Sequence, residues 1–177
     1  MEHPMNRDTT SNFVLARALT AGAWGTLCAF ILAPPVLAAA GWDAAATVVY
    51  FFFSPVCHQA PERSFELLGI PLAVCHRCSG IYLGLFLGSM LRNPWIHRSP
   101  AARRRWVLAA AVPLVLDALL PCCGLWVNTA ASRFATGLCF GIPVASLVVR
   151  GIAEFLTEAP WRRFSLGSPR LWEASNE

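Results

Sequence analysis

Long apolar runs separated by short polar segments constrain the fold of this chain more than any other feature. The runs lie near residues 18–40, 72–91, 106–126 and 133–149. At ~1.5 Å of rise per helical residue, about 20 apolar residues cross the ~30 Å hydrocarbon core of a bilayer. The pattern predicts an all-α, polytopic integral membrane helical bundle with about four transmembrane helices.

The composition agrees with a membrane protein. Of the 177 residues, 56% are hydrophobic and only 14% are charged, whereas soluble domains average ~25% charged residues. We predict a single membrane domain over residues 18–149, with a cytoplasmic segment at 1–17 and a polar cytoplasmic tail at 150–177. The formal net charge of +4 is modest. A lipid bilayer is therefore the expected partner, nucleic acid is not, and the sequence names no protein partner.

Two features complicate the first third of the chain. Pro34 and Pro35 should kink or end the first helix, because proline lacks the N–H donor and clashes one turn back. A cleaved signal peptide is the alternative for this run, which is longer than the usual ~7–15-residue apolar region of such peptides. Residues 42–56 are apolar but too short to span, which favours an interfacial or re-entrant helix over a tilted span.

Arginines set the expected orientation. Residues 92–105 form a short connection that holds five of them: Arg92, Arg98, Arg103, Arg104 and Arg105. Basic residues in short loops favour the cytoplasmic side. We therefore predict a multi-pass protein of the cell membrane whose Cys57–Cys78 region faces the non-cytoplasmic side.

Cysteine and histidine are concentrated in that region. Cys75 and Cys78 form a C-x-x-C motif at a predicted helix start, and the Cys57-His58 pair lies upstream across a polar loop at 57–71. Three thiolates and an imidazole are the ligand set of a closed tetrahedral zinc site. We predict a metal site, zinc first, with Cys57, His58, Cys75 and Cys78 as ligands, and His76 as the substitute for His58.

Two other interpretations stay open. An outward-facing C-x-x-C meets oxidising conditions, so Cys75 and Cys78 can form a redox-active pair with Cys57 or Cys122 as the resolving thiol. Alternatively the cysteines only pack at helix interfaces, in a small carrier or assembly factor. Enzymatic activity is not indicated.

Charged residues within or beside the apolar runs need partners, because an isolated charge in hydrocarbon costs at least ~2.5–3.5 kcal/mol. Asp117 in the third run is expected to pair with Arg133 or with Arg77. Glu62 and Arg63 are expected to order the loop, and Glu62 is an alternative general base or ligand.

Three glycines at four-residue steps, Gly80, Gly84 and Gly88, form one ridge on the second predicted helix. Small residues at this spacing let another helix backbone approach closely. We predict a helix-packing role for them.

The strings C-H-Q-x-P-E-R-S-F and C-x-R-C-S-G-I-Y-L-G together resemble a family of uncharacterised membrane proteins, domain of unknown function 2085. The matching positions are Cys57, His58, Gln59, Pro61, Glu62, Arg63, Ser64, Phe65, Cys75, Arg77, Cys78, Gly80, Tyr82 and Gly84, followed by Asp117, Arg133, Thr136 and Gly137. The resemblance runs from about Pro55 to Gly141. It implies that the cysteine cluster is a functional site, and it supplies no substrate.

Overall fold

The computed structural model describes residues 7–91 and 99–158. This part of the chain is mostly helical, and it comprises α1 (Arg7–Ile31), α2 (Ala33–Ala39), α3 (Asp43–Phe53), β1 (Ser64–Leu67), β2 (Ile70–Cys75), α4 (His76–Met90), α5 (Pro100–Leu119) and α6 (Ala130–Glu158). Single 3₁₀ turns lie at Pro61–Arg63 and Leu120–Cys123. Arg92 and Arg98 of the basic connection, and residues 159–177 of the expected tail, lie outside the described residues.

Within the described ranges, three helical segments are long and apolar enough to cross a membrane. They are Thr10–Ile31, Pro100–Cys123 and Ala130–Glu158. In the most apolar window of the second segment only 6% of the residues are buried inside the protein, so its apolar side chains need a nonpolar solvent such as lipid. The expected membrane class is confirmed, whereas a count of four spans stays a prediction.

The first apolar run breaks where its prolines predict. Helix α1 ends at Ile31 and α2 begins at Ala33, so that Pro34 and Pro35 lie in the first turn of α2. The missing N–H is tolerated in a first turn, since those donors have no intrahelical acceptor. After a turn, α3 follows as an 11-residue apolar helix. It is too short to span and it stops at Phe53, before Cys57.

The stretch expected to be a loop and the start of a span is instead a β-hairpin. Strands β1 and β2 pair antiparallel with Leu67 opposite Ile70. Their connection, Leu68 and Gly69, has φ angles of +57° and +74°, the left-handed pair typical of a two-residue hairpin turn. Leu72, Ala73 and Val74 are buried in the main hydrophobic core. A short apolar run of this kind has no period that separates strand from helix, so the predicted helix from Leu72 is corrected to a start at His76.

Helix α4 has 15 residues, about 22 Å at the usual rise, which is less than the hydrocarbon thickness. It packs against α6 and α1. The α4–α6 contact is made backbone to backbone: a Cβ added at Gly84 or at Gly88 would lie 2.6 Å from the carbonyl oxygen of Leu138 or Ile142. A Cβ at Gly80 would lie even closer to the carbonyl oxygen of Phe134. The glycine ridge thus fixes the start of α4 beside the start of α6.

Helix α6 continues to Glu158, nine residues beyond the expected end of the span at 149. Its C-terminal half packs on α1, where Ala16, Val149 and Ala153 form a second small core. The boundary predicted between membrane domain and polar tail therefore falls inside a continuous helix. The apolar residues Ile152, Phe155 and Leu156 explain this extension, since they carry the helical pattern past Arg150.

Candidate metal centre

Three cysteine side chains converge at the junction of α3, the hairpin and α4. The Sγ atoms of Cys57, Cys75 and Cys78 all lie within 4.8 Å of one another. Cys57 is buried, and the other two are half-buried. All seven cysteines are free thiols. A compact group of three sulfurs, closed on one side and partly open on the other, is a donor set that can hold a metal ion.

Helix geometry brings the C-x-x-C pair to Cys57. Cys75 ends β2 and is the N-cap residue of α4, so Cys78 lies in the first turn above it. Cys57 is placed by the end of α3, where its backbone N–H donates to the Phe53 carbonyl at 3.0 Å. A helix end and a strand end therefore meet at the three sulfurs.

The Gln59 side chain holds the start of the segment that connects Cys57 to the hairpin. Its Nε2 donates to the carbonyl oxygens of Tyr50 at 2.7 Å and Ala73 at 2.8 Å. Its own φ angle is +54°, a left-handed conformation uncommon outside glycine. The amide thus joins α3 to β2 directly beside Cys57.

The surroundings of Cys75 favour the thiolate form of its side chain. Hydrogen bonds from the Cys57 and Cys78 thiols hold the pKa of Cys75 well below its usual range, with further lowering from the backbone amides of Cys78 and Arg77. The backbone N–H of Cys75 also donates to Cys57 Sγ at 3.2 Å. Donors aimed at sulfur stabilise negative charge there.

Neither candidate histidine belongs to the three-sulfur group in the described part of the chain. His58 is exposed and lies at the rim of an adjoining cavity, which Cys75 also lines. His76 is buried, with its ring 4.4 Å from that of Phe65 in an edge-on contact, and its Nδ1 has no hydrogen-bond partner among the described residues. His58 is therefore the histidine with room to move toward the sulfurs.

Asp117 pairs with Arg77 and not with Arg133. Arg77 Nη2 donates to Asp117 Oδ2 at 2.6 Å, and the Ser132 hydroxyl donates to Oδ1 at 2.8 Å. Asp117 is buried at 7% exposure. Of the two partners expected for it, Arg77 on α4 is the one found, so the ion pair joins α4 to α5 next to the cysteine group.

Arg133 is held by a neutral partner. Its Nε donates to Asn128 Oδ1 at 3.0 Å, and Asn128 Nδ2 in turn donates to the Asp117 carbonyl at 2.9 Å. The connection between α5 and α6 is thereby ordered by Asn128 and Ser132. Sequence reasoning gave neither residue a role, although polar side chains grouped in N-T-A-A-S before an apolar helix are a signal for such a cap.

A cavity of about 360 Å³ lies beside the cysteine group. It is lined by His58, Ala60, Arg63, Cys75, Arg77, Ala118, Pro121, Cys122, Asn128 and Arg133. Its wall thus combines the end of α5, the start of α6 and the segment before the hairpin. Cys75 is the group's only member on this wall, and Arg77 is its neighbour.

The remaining sequence candidates lie further out. Glu62 and Arg63 are in the exposed 3₁₀ turn, 3.9 Å apart, with side chains 73% and 62% exposed. Glu62 does not join the sulfur group among the described residues. Cys122 and Cys123 are exposed at the end of α5, and Cys122 reaches the cavity without joining the three sulfurs.

Apolar helices around a buried ion pair and a thiol cluster define a helical membrane protein with a polar site at one end of its helices. Residues 57–147 match the family model of the predicted membrane proteins called domain of unknown function 2085. The chain belongs to this family, as its C-H-Q and C-x-R-C strings predict.

Two archaeal relatives are similar over most of their length. One, an uncharacterised protein of Methanocaldococcus jannaschii, is 33% identical over 111 residues, which cover 61% of this chain and 70% of the relative. The other, from Methanothermobacter thermautotrophicus, is 35% identical over 95 residues, which cover 54% of this chain and 86% of the relative. No solved structure matches the chain.

Proposed function

We propose that this protein is a zinc-binding protein of the cell membrane whose ligands are Cys57, Cys75 and Cys78. The observation that carries the proposal is the convergence of three sulfur atoms within 4.8 Å of one another. They come from two chain segments separated by a hairpin, which random packing of small apolar cysteines does not require. Soft thiolate ligands favour Zn²⁺ and Cu⁺ over hard cations.

The spacing of the sulfurs suits a zinc ion. Zn–S bonds of ~2.3 Å at tetrahedral angles put sulfur atoms about 3.8 Å apart. The sulfur–sulfur distances in the structure are at most 4.8 Å. Each sulfur would therefore move inward by less than about 1 Å to bind the ion. The hydrogen bonds to Cys75 favour its thiolate, which is the form of cysteine that binds metal.

His58 is the proposed fourth ligand. It follows Cys57 directly, it is exposed, and it lines the cavity next to Cys75. We propose that its imidazole closes the open side of the group. His76 is packed against Phe65, and it would have to leave that contact to do the same.

We place the centre on the non-cytoplasmic side. Arg103, Arg104 and Arg105 begin α5, while Asp117 and Cys122 lie near its other end, about 20–30 Å along the helix axis at 1.5 Å per residue. The positive-inside tendency then assigns the arginine end to the cytoplasm. Reporter fusions after Arg105 and within residues 59–70 test this, because a cytoplasmic signal from the second fusion contradicts the placement.

A redox function of the C-x-x-C pair is the second candidate. Cys75 caps the start of α4 and lines the open cavity, whereas Cys57 behind it is buried. Cys75 is thus placed as an accessible attacking thiol, and Cys78 lies about one helical turn away as its partner. Isolation of a Cys75–Cys78 disulfide from protein purified without reductant, with no bound metal, would favour it over the zinc centre.

Metal analysis of protein purified anaerobically in a mild detergent tests the proposal. We expect about one zinc ion per chain, and loss of the metal in the Cys75→Ser/Cys78→Ser variant. Cys139→Ser is the matched control, because Cys139 is exposed on α6 and lies outside the group. Wild-type protein without metal, or full occupancy in the double variant, would contradict the proposal.

A further inference from the structure

The cavity beside the cysteine group carries an excess of positive charge. Three arginines line it, Arg63, Arg77 and Arg133, and no aspartate or glutamate does so among the described residues. Its volume of about 360 Å³ is within the ~300–1,000 Å³ range of small-molecule sites. The cavity is therefore large enough for a ligand and electrostatically suited to an anion.

Only one of these arginines has a close carboxylate. Asp117 neutralises Arg77 at 2.6 Å. Arg133 bonds to the neutral amide oxygen of Asn128 and forms no ion pair within the described ranges. Arg63 meets Glu62 only at 3.9 Å, with both side chains largely exposed, where screening makes an ion pair weak. Arg133 thus has no carboxylate partner of its own in the described part of the chain, and the cavity keeps an excess of positive charge when the Cys75 thiolate on the same wall is counted.

The two inner arginines are also held in place. The Asn128 side chain holds Arg133 and donates to the backbone carbonyl of Asp117. The side chain of Asp117 in turn holds Arg77. Arg77 Nε is buried and has no acceptor among the described residues. Guanidinium groups oriented before binding lose less entropy when they bind a ligand. These contacts build a rigid donor surface from neighbouring ends of α4, α5 and α6.

We propose that this cavity binds a phosphate-bearing anion through Arg133 and Arg77, with Arg63 at its rim. The planar guanidinium fork matches the oxygens of a phosphate group. Such a group is supplied either by a soluble phosphorylated molecule or by the headgroup of an anionic lipid. The second source suits the position of the cavity at the ends of α5 and α6, where headgroups surround a membrane protein. The proposal rests on the arginines, although Cys75 and His58, which are proposed as zinc ligands, line the same cavity.

Titration of the full-length protein in a neutral detergent tests it, with inorganic phosphate and phosphatidylglycerol as separate probes. Calorimetry measures phosphate binding, and native mass spectrometry measures lipid retention. We expect saturable binding of at least one probe, weakened by added salt because the attraction is between charges. Phosphate binding identifies a soluble source, whereas lipid retention without phosphate binding identifies a headgroup. Saturation by neither probe would overturn the proposal.

Arg133→Gln removes the charge and keeps an amide donor for Asn128. We expect it to weaken binding about tenfold or more, because a charged donor is lost. Arg104→Gln, on an exposed turn at the other end of α5, is the matched control and should bind as the wild type does. Arg63→Gln changes only an exposed side chain, so it reports on the site even if Arg133→Gln unfolds, and it should weaken binding by a smaller factor. Equal loss in the Arg104 variant, or wild-type binding in both cavity variants, would overturn the assignment.

Discussion

Removal of the Asp117 charge should destabilise the protein far more than removal of a surface carboxylate. Two ion pairs in the structure have the same N–O distance of 2.6 Å, Arg77–Asp117 and Arg150–Glu154. Their surroundings differ: the Asp117 side chain is 6% exposed, and the Glu154 side chain is 53% exposed. The pair of variants Asp117→Asn and Glu154→Gln therefore separates burial from distance.

The expected magnitudes follow from that burial. Breaking a buried pair by removing one partner costs about 3–5 kcal/mol, because the other charge stays buried without compensation. Arg77 retains 26% side-chain exposure, which relieves part of this cost. We expect a loss of about 2–4 kcal/mol in the free energy of unfolding for Asp117→Asn. For Glu154→Gln we expect about 0–1 kcal/mol.

Unfolding in mixed micelles with increasing dodecyl sulfate, followed by tryptophan fluorescence, measures both variants. Arg77→Gln and the Asp117→Asn/Arg77→Gln double variant complete a cycle that isolates the coupling between the two side chains. A coupling near zero, or equal losses in Asp117→Asn and Glu154→Gln, would refute the view that this ion pair joins α4 to α5.

Three further predictions concern the scaffold and the metal. Gly84→Ala should lower the free energy of unfolding by about 1–3 kcal/mol in the same assay, since its Cβ would lie 2.6 Å from a backbone oxygen. Gly22→Ala is the control: a Cβ there meets no atom within 4 Å, so the variant should be neutral or stabilising by up to ~1 kcal/mol. Gln59→Ala should lower the free energy of unfolding by about 1–3 kcal/mol, because the carbonyls of Tyr50 and Ala73 lose their donor. It should also speed alkylation of Cys57. Unchanged stability and labelling would contradict this prediction. Chelation of zinc should lower the melting temperature of the wild type, because a ligand bound only to the folded state stabilises it; the melting temperature of Cys75→Ser/Cys78→Ser should not respond to the chelator.

Sequence patterns could predict the membrane class and the break at Pro34 because each depends on local chemistry. A 20-residue apolar run has few alternatives to a membrane helix, and proline interrupts a helix wherever it occurs. The hairpin at residues 64–75 could not be predicted so easily. Its second strand, Ile70–Cys75, is apolar on both faces and continues directly into α4. The available sign of a hairpin was S-F-E-L followed by Leu68 and Gly69. The turn needs a positive φ angle at both Leu68 and Gly69, and leucine is an unusual residue at such a position, so the sign was weak.

At the site, too, the sequence could predict what depends on neighbouring residues and not what depends on the packing of distant segments. The C-x-x-C spacing could predict that Cys75 and Cys78 share one side of a helix start, and a return of the chain could bring Cys57 to them. The choice between Arg77 and Arg133 as the partner of Asp117 depended on how α4 and α5 are each placed on α6, and the glycine contacts fix the place of α4. The exposure of His58 and the burial of His76 likewise follow from the hairpin, which the sequence pattern does not reveal.

X-ray absorption at the zinc edge of the purified protein tests the zinc centre most directly. We predict a shell of about three sulfur atoms at ~2.3 Å and one nitrogen at ~2.0–2.1 Å, with the sulfur shell reduced in Cys57→Ser. The nitrogen contribution should be lost in His58→Ala and retained in His76→Ala. A shell of oxygen and nitrogen atoms without sulfur would contradict a metal centre at Cys57, Cys75 and Cys78.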